Sequence, residues 1–433
     1  MKIKFLAFLL VLPMLAFCDS PVDPDQLPDD QEQTENPNDK PAATDTLTTP
    51  DEPEVVLAPE ITDGSVVLAC NANVHKFITE VTYPDHDYSY SKVMEYEGGW
   101  NKNVPEGESP KSCDRPADYT IRWTADEAAG KLTLTLADHT GWSMEKKVDA
   151  GEAYVDVNNL VPNSHYTYSV VAENGTVMTE GKFDTYGSIH QVFFKHSVRN
   201  ARDLGGWKTY DGKMVKYRMI YRGGRLDEGS SSLNATGKKA IIAEGIKAQL
   251  DIRSYKDMND GPTLPEFEFL APDIETGGDG MLTAFDSNKE GAKKGDKMRE
   301  CMQFVIDMAK ANKPLYFHCS LGRDRTGTLA MIILGLLDVV EGDISKEYEV
   351  TYFAPKGWSI ATSESYKTFQ NTRTKWAYKP AAEYIWNNYV GEGERFSQGI
   401  EKYLLEIGIS QEDINTYREI MIVDAYPDLT PAN

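Results

Sequence analysis

The chain has 433 residues, and because a single hydrophobic core stops growing near roughly 250 to 300 residues, this length predicts more than one domain. Its 45 Lys and Arg against 68 Asp and Glu give a formal net charge of −23. That balance argues against a nucleic-acid partner, since phosphate-backbone binding needs dense positive charge on one face. The apolar fraction of 40% excludes a wholly disordered chain.

The five cysteines are scattered, with no Cys-x-x-Cys pair and no histidine at zinc-ligand spacing from any of them. They are Cys18, Cys70, Cys113, Cys301 and Cys319. The sequence therefore predicts neither a structural metal site nor a metal cofactor.

Residues 1–17 have the pattern of an export signal. Two lysines precede an apolar run that is shorter than the roughly 20 residues a membrane-spanning helix needs. The run ends in Leu-Ala-Phe-Cys at Cys18, which resembles a bacterial lipoprotein cleavage box in which the cysteine is lipidated. Phe17 departs from the small residue usual there, and the alternative is ordinary cleavage with release. We expect an exported protein of the bacterial cell envelope, anchored by lipid at Cys18.

Residues 19–54 contain twelve acidic residues, one Lys and seven Pro. Such a segment cannot bury enough apolar surface to offset the loss of chain entropy on folding. It is predicted to be a disordered, extended linker that holds the folded domains away from a membrane surface.

Residues 55–187 alternate apolar and polar side chains in short runs between turn residues, which predicts an all-β sandwich. The clearest runs are 119–123, 131–136, 153–157 and 166–171. The stretch 157–170, closed by 183–185, resembles a fibronectin type III domain, in which a tyrosine ties a loop to the following strand. We expect this block to be a spacer or packing partner. Export would allow Cys70 and Cys113 to form a disulfide, and free thiols are equally compatible with the sequence.

Residues 190–428 change to strands alternating with helices, which predicts a three-layer α/β domain. The runs 246–252 and 314–318 are predicted strands, and 325–340 is a helix apolar nearly all round and therefore buried. The aromatic stretch 352–390 is predicted to form helices that pack on this core, with a lid over the site as the alternative.

The second predicted strand meets the buried helix at a motif that reads His-Cys-Ser-Leu-Gly-Arg-Asp-Arg-Thr-Gly over residues 318–327. A five-residue loop between Cys319 and Arg325 aims backbone N–H groups and the positive helix end at one point, which makes a site for a tetrahedral oxyanion. The same field favours the thiolate form of Cys319, the nucleophile. Arg325 can hold two phosphoryl oxygens through its planar fork. Thr326 can donate to the sulfur, and His318 can fix the loop from behind.

This motif resembles the His-Cys-x5-Arg-Thr-Gly signature of the cysteine-dependent phosphatases. Residues 195 to about 425 are similar to the atypical bacterial tyrosine and serine phosphatases, the group that includes the secreted mycobacterial tyrosine phosphatase B. That group usually has Lys-Asp-Arg in its loop, whereas Arg323 here keeps the charge but changes its reach. Further matches lie at 200–206, 220–226 and 250–254. The resemblance implies substrate binding by Ser320, Leu321, Gly322, Arg323, Thr326 and Gly327.

A general acid has to protonate the leaving oxygen. The resemblance, which extends to the myotubularin-like lipid phosphatases, assigns this role to Asp324. The rivals are Asp279 and Asp286, on a glycine-rich segment that can close as a lid. Four other polar residues either line the pocket or form buried ion pairs that brace the fold: Asp203, Arg222, Asp251 and Arg253.

We therefore expect an exported phosphatase that works through a phosphocysteine intermediate and needs no cofactor. Its phosphorylated substrate is a protein, a lipid or an inositol phosphate, and the sequence leaves these classes open. One alternative is a surface binding protein whose inactive domain recognises phosphorylated ligands or glycans. Another is a sulfur transferase or oxyanion reductase, although no resolving cysteine accompanies Cys319 in the loop.

Overall fold

The structure is a computed structural model that describes residues 58–88, 92–96, 115–194, 198–227, 233–255, 261–275, 282–285, 295–354 and 378–430. The predicted signal, the lipidation site Cys18 and the acidic linker lie outside these residues, as do Cys113, Asp279 and Asp286. Within the described part of the chain, no helix is long and apolar enough to cross a membrane.

The N-terminal block contains two sheets that share one core. Its strands are β1 Ser65–Leu68, β2 Tyr119–Arg122, β3 Leu132–Asp138, β4 Ser143–Val148, β5 Tyr154–Val157, β6 His165–Ala172 and β7 Val177–Tyr186. One sheet has the order β1-β7-β6-β3-β4, and β2 pairs with β5 in the other. Every second side chain of β3 is buried, as the alternating sequence predicts. Ile121 of β2 and Leu134 of β3 belong to the same buried cluster, so the two sheets pack against each other around one core. The two sheets together are called the sandwich below.

A tyrosine links the loop before β6 to that strand. The hydroxyl of Tyr166 accepts a hydrogen bond of 2.9 Å from the backbone N–H of Val161. This is the kind of contact that a tyrosine corner makes in sandwich domains.

One segment of the block departs from the all-β prediction. Helix α1, Ala72–Glu80, begins at Asn71, whose side chain accepts from the backbone N–H groups of the first turn. Its buried side chains, Val74, Phe77 and Ile78, join the core of the C-terminal domain and not that of the sandwich. Residues 70–88 and 92–96, called the strap below, therefore leave the sandwich after β1 and pack on the other domain. Cys70 of the strap is a buried free thiol.

The C-terminal domain is built on a five-stranded sheet with the order β12-β11-β13-β10-β8, in which only the edge strand β8 is antiparallel. The strands of this domain are β8 Arg202–Asp203, β9 Met214–Val215, β10 Ile220–Gly223, β11 Ala248–Asp251, β12 Glu268–Leu270, β13 Leu315–His318 and β14 Ile422–Val423. Strands β9 and β14 pair with each other in a separate two-stranded sheet. The helices are α2 Ala235–Ala243, α3 Asp296–Lys310, α4 Asp324–Leu336, α5 Glu341–Glu349, α6 Lys379–Tyr389, α7 Phe396–Glu406 and α8 Gln411–Met421.

Helices cover both faces of this sheet. Leu315 and Phe317 of β13 join the large core that contains α3 to α8, whereas Tyr316 joins a second core with Ile241 of α2. Alternate side chains of a strand point to opposite faces, so the central strand is buried on both sides. The α/β prediction is confirmed.

The predicted apolar helix corresponds to α4, in which every side chain after Asp324 is buried. Gly408 follows α7 with φ +101°, and the side chain of Ser410 caps α8. Of the aromatic stretch, Phe353 and Tyr378 lie in the large core, which agrees with helices packing on it. Trp358, Tyr366, Phe369 and Trp376 lie outside the described residues.

The sandwich and the α/β domain meet at a polar contact that we call the seam. Arg218 forms an ion pair with Asp138 of β3, and its Nη2 donates to the hydroxyl of Tyr166 at 3.2 Å. The guanidinium carbon lies 3.8 Å from the ring centre of Trp142. The indole N–H of Trp142 donates to the carbonyl of Ala243 at 3.2 Å. These contacts describe a packing partner and not a flexible spacer.

Candidate active site

The motif loop connects the end of β13 to the start of α4. Cys319, 4% exposed, follows the strand directly, and Arg325, 3% exposed, lies in the first turn of the helix. The backbone N–H of Cys319 donates to Oγ1 of Thr326 at 2.8 Å. The hydroxyl oxygen of Thr326 thus accepts and pins the loop to α4. Its O–H hydrogen is not used in this bond, so the donation from Thr326 to the sulfur stays a prediction.

Gly322 lets the loop approach the end of β10. Its φ is +67°, a left-handed conformation that favours glycine. A Cβ at this position would lie 2.2 Å from the carbonyl carbon of Gly223, which is backbone and cannot move aside cheaply. A side chain at position 322 would therefore clash with β10, and glycine allows the loop to curve tightly against that strand.

Two loop carbonyls are bound from behind. The carbonyl of Gly322 accepts from Nδ2 of Asn200 at 2.9 Å and from Nη2 of Arg222 at 2.6 Å. The carbonyl of Ser320 accepts from the backbone N–H of Arg225 at 3.1 Å. In a trans peptide the N–H points opposite to the carbonyl, so the N–H groups of the following residues, Leu321 and Arg323, point away from these donors. The loop thus presents donors on the face opposite its supports.

A buried glutamate holds two arginines behind this loop. Oε1 of Glu347 accepts from Nε of Arg202 and Oε2 from Nη1 of Arg222, each at 2.7 Å. All three residues are buried. Arg222, which the sequence placed either in the pocket or in the fold, thus braces the loop. Sequence reasoning missed Glu347, because nothing in the spacing of α5 links it to residues 202 and 222.

His318 and its neighbours form a second buried group. Nδ1 of His318 lies 3.2 Å from the carbonyl oxygen of Cys319, and Nε2 lies 2.9 Å from the amide nitrogen of Gln249. Burial lowers the pKa of His318, which favours the neutral imidazole. Arg253 pairs with Asp251 and Asp227 at 2.7 and 2.6 Å. These contacts fit the bracing roles considered for His318, Asp251 and Arg253.

The side chain of Asp203 binds backbone N–H groups close to the seam. It accepts from the backbone N–H of Gly205 at 2.9 Å and of Arg218 at 2.5 Å, and it lies 3.2 Å from Nδ1 of His190. Each of these partners lies outside the motif loop. The structure therefore supports the bracing alternative for Asp203 and does not bring its side chain into contact with the loop.

Arg325 contacts the segment that leads toward the rival acids. Its Nη1 donates to the carbonyl of Ile274 at 2.8 Å. The backbone N–H of Ile274 in turn donates to the carbonyl of Arg253 at 3.0 Å. Asp279 and Asp286 themselves lie outside the described residues, so their candidacy stays a prediction.

Asp324 is held by its neighbour in sequence. Nε and Nη2 of Arg323 donate to its two carboxylate oxygens at 2.8 and 2.5 Å, and the hydroxyl of Tyr348 donates to Oδ1 at 3.2 Å. Arg323 is fully buried, whereas Asp324 is half-buried. Two of the three guanidinium nitrogens of Arg323 are therefore bound to Asp324, and the substrate-binding role expected of Arg323 stays a prediction.

Comparisons with known proteins identify the family of this chain. The model of the tyrosine phosphatase family matches residues 195–423, more than half of the chain, and the chain therefore belongs to that family. A relative from Cupriavidus necator, described as "Putative tyrosine-protein phosphatase", is 26% identical over 174 residues, which are 37% of this chain and 62% of the relative. The chain thus matches less than two thirds of that relative's length.

A solved structure of the human tyrosine phosphatase-like serine/threonine/tyrosine-interacting protein is also similar. It shares 13% sequence identity, and the match covers 36% of this chain and 93% of the human one with a TM-score of 0.23. At that score the likeness carries no argument.

Proposed function

We propose that this protein is an exported, cysteine-dependent phosphatase that hydrolyses phosphomonoesters. The observation that supports this most strongly is the loop from Cys319 to Arg325, whose carbonyls at Ser320 and Gly322 are bound from behind while its N–H groups face the other way. The N–H groups of Leu321 and Arg323, aimed to one side of a loop that begins at a cysteine, fit a phosphoryl group. Family membership favours this reading over an inactive binding protein.

In the proposed reaction, the thiolate of Cys319 attacks phosphorus and the bond from phosphorus to the ester oxygen breaks. The loop N–H groups and Arg325 bind the phosphoryl oxygens as their charge shifts in the transition state. The electron pair of the broken bond goes to the leaving oxygen, which Asp324 protonates. Water then attacks the phosphorus of the phosphocysteine while Asp324 takes a proton from that water. The bond from phosphorus to sulfur breaks, its electron pair returns to Cys319 as the thiolate, and inorganic phosphate leaves.

The proposed substrates are phosphorylated proteins carrying phosphotyrosine or phosphoserine, phosphoinositides and inositol phosphates, following the resemblance to the atypical bacterial phosphatases. We further propose that residues 55–187 include a fibronectin type III-like domain, supported by the shared core of the two sheets and by the contact of Tyr166 with Val161.

The test is turnover of an aryl phosphate by Cys319→Ser, with Cys301→Ala as the matched control because Cys301 is a buried cysteine of α3. Cys319→Ser should abolish turnover while it still binds the phosphate ester, and Cys301→Ala should keep turnover. A chelator should leave the wild-type rate unchanged. Retained turnover by Cys319→Ser would overturn the proposed mechanism.

The proposed location rests on the apolar run that ends at Cys18. Mass spectrometry of the mature protein from a bacterial host should find an acylated N-terminal cysteine at that position. An N-terminus at any other residue, or no incorporated fatty acid, would contradict the lipid anchor without affecting the proposed chemistry.

A further inference from the structure

Both side-chain donors to the Gly322 carbonyl depend on one carboxylate. Arg222 donates to that carbonyl and to Oε2 of Glu347. Asn200, the other donor, is bound through its own backbone carbonyl by Nη1 of Arg202 at 3.1 Å, and Arg202 is held by Oε1 of Glu347. We propose that Glu347 is a positioning residue for the phosphate loop, which it acts on through Arg222 directly and through Arg202 and Asn200 indirectly. This inference rests on the proposed function.

The position of Asn200 shows why a buried clamp is needed. Its φ is +61°, in the left-handed region that few residues other than glycine adopt. Its amide reaches Gly322 from this conformation, and the hydroxyl oxygen of Thr351 lies 3.2 Å from the same nitrogen. Arg202 binds both the Asn200 carbonyl and, through Nη2 at 2.8 Å, the backbone carbonyl of Glu347. The strained backbone is thus fixed to α5.

Charge explains why this residue is an acid. Arg202 and Arg222 are two fully buried guanidinium groups close to one loop, and their mutual repulsion in a medium of low dielectric is large. Glu347 accepts from both, one on each oxygen. Without it, each arginine would move toward other acceptors, and the Gly322 carbonyl would lose its fixed direction. The Gly322 carbonyl and the N–H of Arg323 belong to one rigid peptide unit. If the carbonyl turned, this N–H, a donor to the phosphoryl group, would turn with it.

The register of α5 against the loop is itself fixed by packing. The next residue, Tyr348, lies so close to Gly327 in the first turns of α4 that a Cβ on that glycine would be 2.6 Å from its ring. The carboxylate of Glu347 is therefore delivered from a helix that is seated directly against the start of α4. A shorter or neutral side chain at position 347 cannot be compensated by sliding the helix.

The experiment compares Glu347→Gln with Asp138→Asn in the full chain. Asp138 is an equally buried partner of an arginine, but it lies at the seam and contacts no residue of the loop. We measure kcat/KM for an aryl phosphate, the affinity for inorganic phosphate by calorimetry, and Tm. Glu347→Gln should lower kcat/KM by about 10²-fold, as loss of one oriented oxyanion donor does. It should also weaken phosphate binding about tenfold. Asp138→Asn should lower Tm but change neither kcat/KM nor the affinity for phosphate.

Glu347→Asp keeps the charge, and it replaces Glu347→Gln in the same measurements if the glutamine variant fails to fold. It should fold, with kcat/KM between the values of wild type and Glu347→Gln. If Glu347→Gln or a folded Glu347→Asp lowers Tm as Asp138→Asn does but leaves phosphate affinity and kcat/KM at wild-type values, Glu347 is purely structural and the proposal is wrong. Phosphate affinity can be measured without turnover. An inactive wild type would therefore overturn the proposed function, while the phosphate affinities of wild type and the Glu347 variants would still test the role of Glu347.

Discussion

Two buried arginines lie at β10, one inside the strand and one just before it, and they bind different parts of the molecule. Arg222, inside the strand, reaches Gly322 of the phosphate loop and pairs with Glu347 of α5. Arg218, just before the strand, pairs with Asp138 of the sandwich and contacts Tyr166. Both are guanidinium–carboxylate pairs removed from water, so their chemistry is the same. Their location in the fold decides whether breaking the pair changes turnover or only stability.

Strand β10 links the contact with the sandwich to the contact with the phosphate loop. Ile220 and Tyr221 of β10 are buried on opposite faces of the sheet, so the strand is rigidly held. The side chain that docks the sandwich and the side chain that orients the phosphate loop therefore lie close together in the chain, Arg218 just before this strand and Arg222 inside it. This is a physical reason to expect the sandwich to influence stability strongly and the chemistry only weakly.

The largest expected effect is on the loop side and concerns Asp324. Asp324→Asn should slow hydrolysis of alkyl phosphates by about 10² to 10⁴, while a nitrophenyl phosphate loses far less, since its phenol leaves without protonation. The measurement is kcat/KM for both substrates, with Asp279→Asn and Asp286→Asn beside it. Because Asp324 also binds Arg323 and Tyr348, equal loss on both substrates would assign it a bracing role. Leaving-group dependence in either rival variant would move the acid to the other segment.

The next effect is on the seam side. Asp138→Asn leaves the buried Arg218 without its charge partner, which should cost about 3 to 5 kcal/mol of unfolding free energy. Replacing both residues, in Asp138→Leu with Arg218→Met, should recover most of this loss, because apolar side chains of similar volume remove the unpaired charge. Urea denaturation of the three proteins measures both values. If the double variant is no more stable than the single one, the hydrogen bond from Arg218 to Tyr166 matters more than the charge.

The motif loop was predictable because its chemistry is contiguous. Cys319, Gly322 and Arg325 lie within one short stretch between a strand and a helix, and the sequence alone places them together. Asn200 donates directly to Gly322 and Glu347 acts on it through Arg222, but the sheet and α5 bring these residues together from distant parts of the chain, which no local pattern encodes. The same holds for the strap: Lys346 donates to the carbonyl of Ile78 across a sequence separation of 268 residues. Helix α1 was missed because its apolar face has its partner in the other domain.

The smallest expected effect concerns Glu349, on the face of α5 that meets the strap. Burial raises the pKa of this carboxyl to about 8, and the nearby Tyr83 hydroxyl and the backbone N–H of Val93 offset only part of that shift. Val93 donates to Oε2 at 3.2 Å. A carboxyl whose pKa is higher in the folded than in the unfolded protein stabilises most below the unfolded pKa, and this contribution is lost as pH rises through the folded pKa.

Glu349→Gln stays neutral at every pH, so it should abolish this dependence. Between pH 5 and pH 8.5, the wild type should lose about 2 kcal/mol of unfolding free energy relative to the variant, a magnitude reduced from the full linkage value because the strap can relax. Denaturant titrations at both pH values measure this, with the exposed Glu392→Gln as the control. Kinetics at the same pH values should show no matching change, since Glu349 faces the strap while Glu347 faces the loop. Parallel stability curves for wild type and Glu349→Gln would mean that the strap admits enough water to keep this carboxyl ionised.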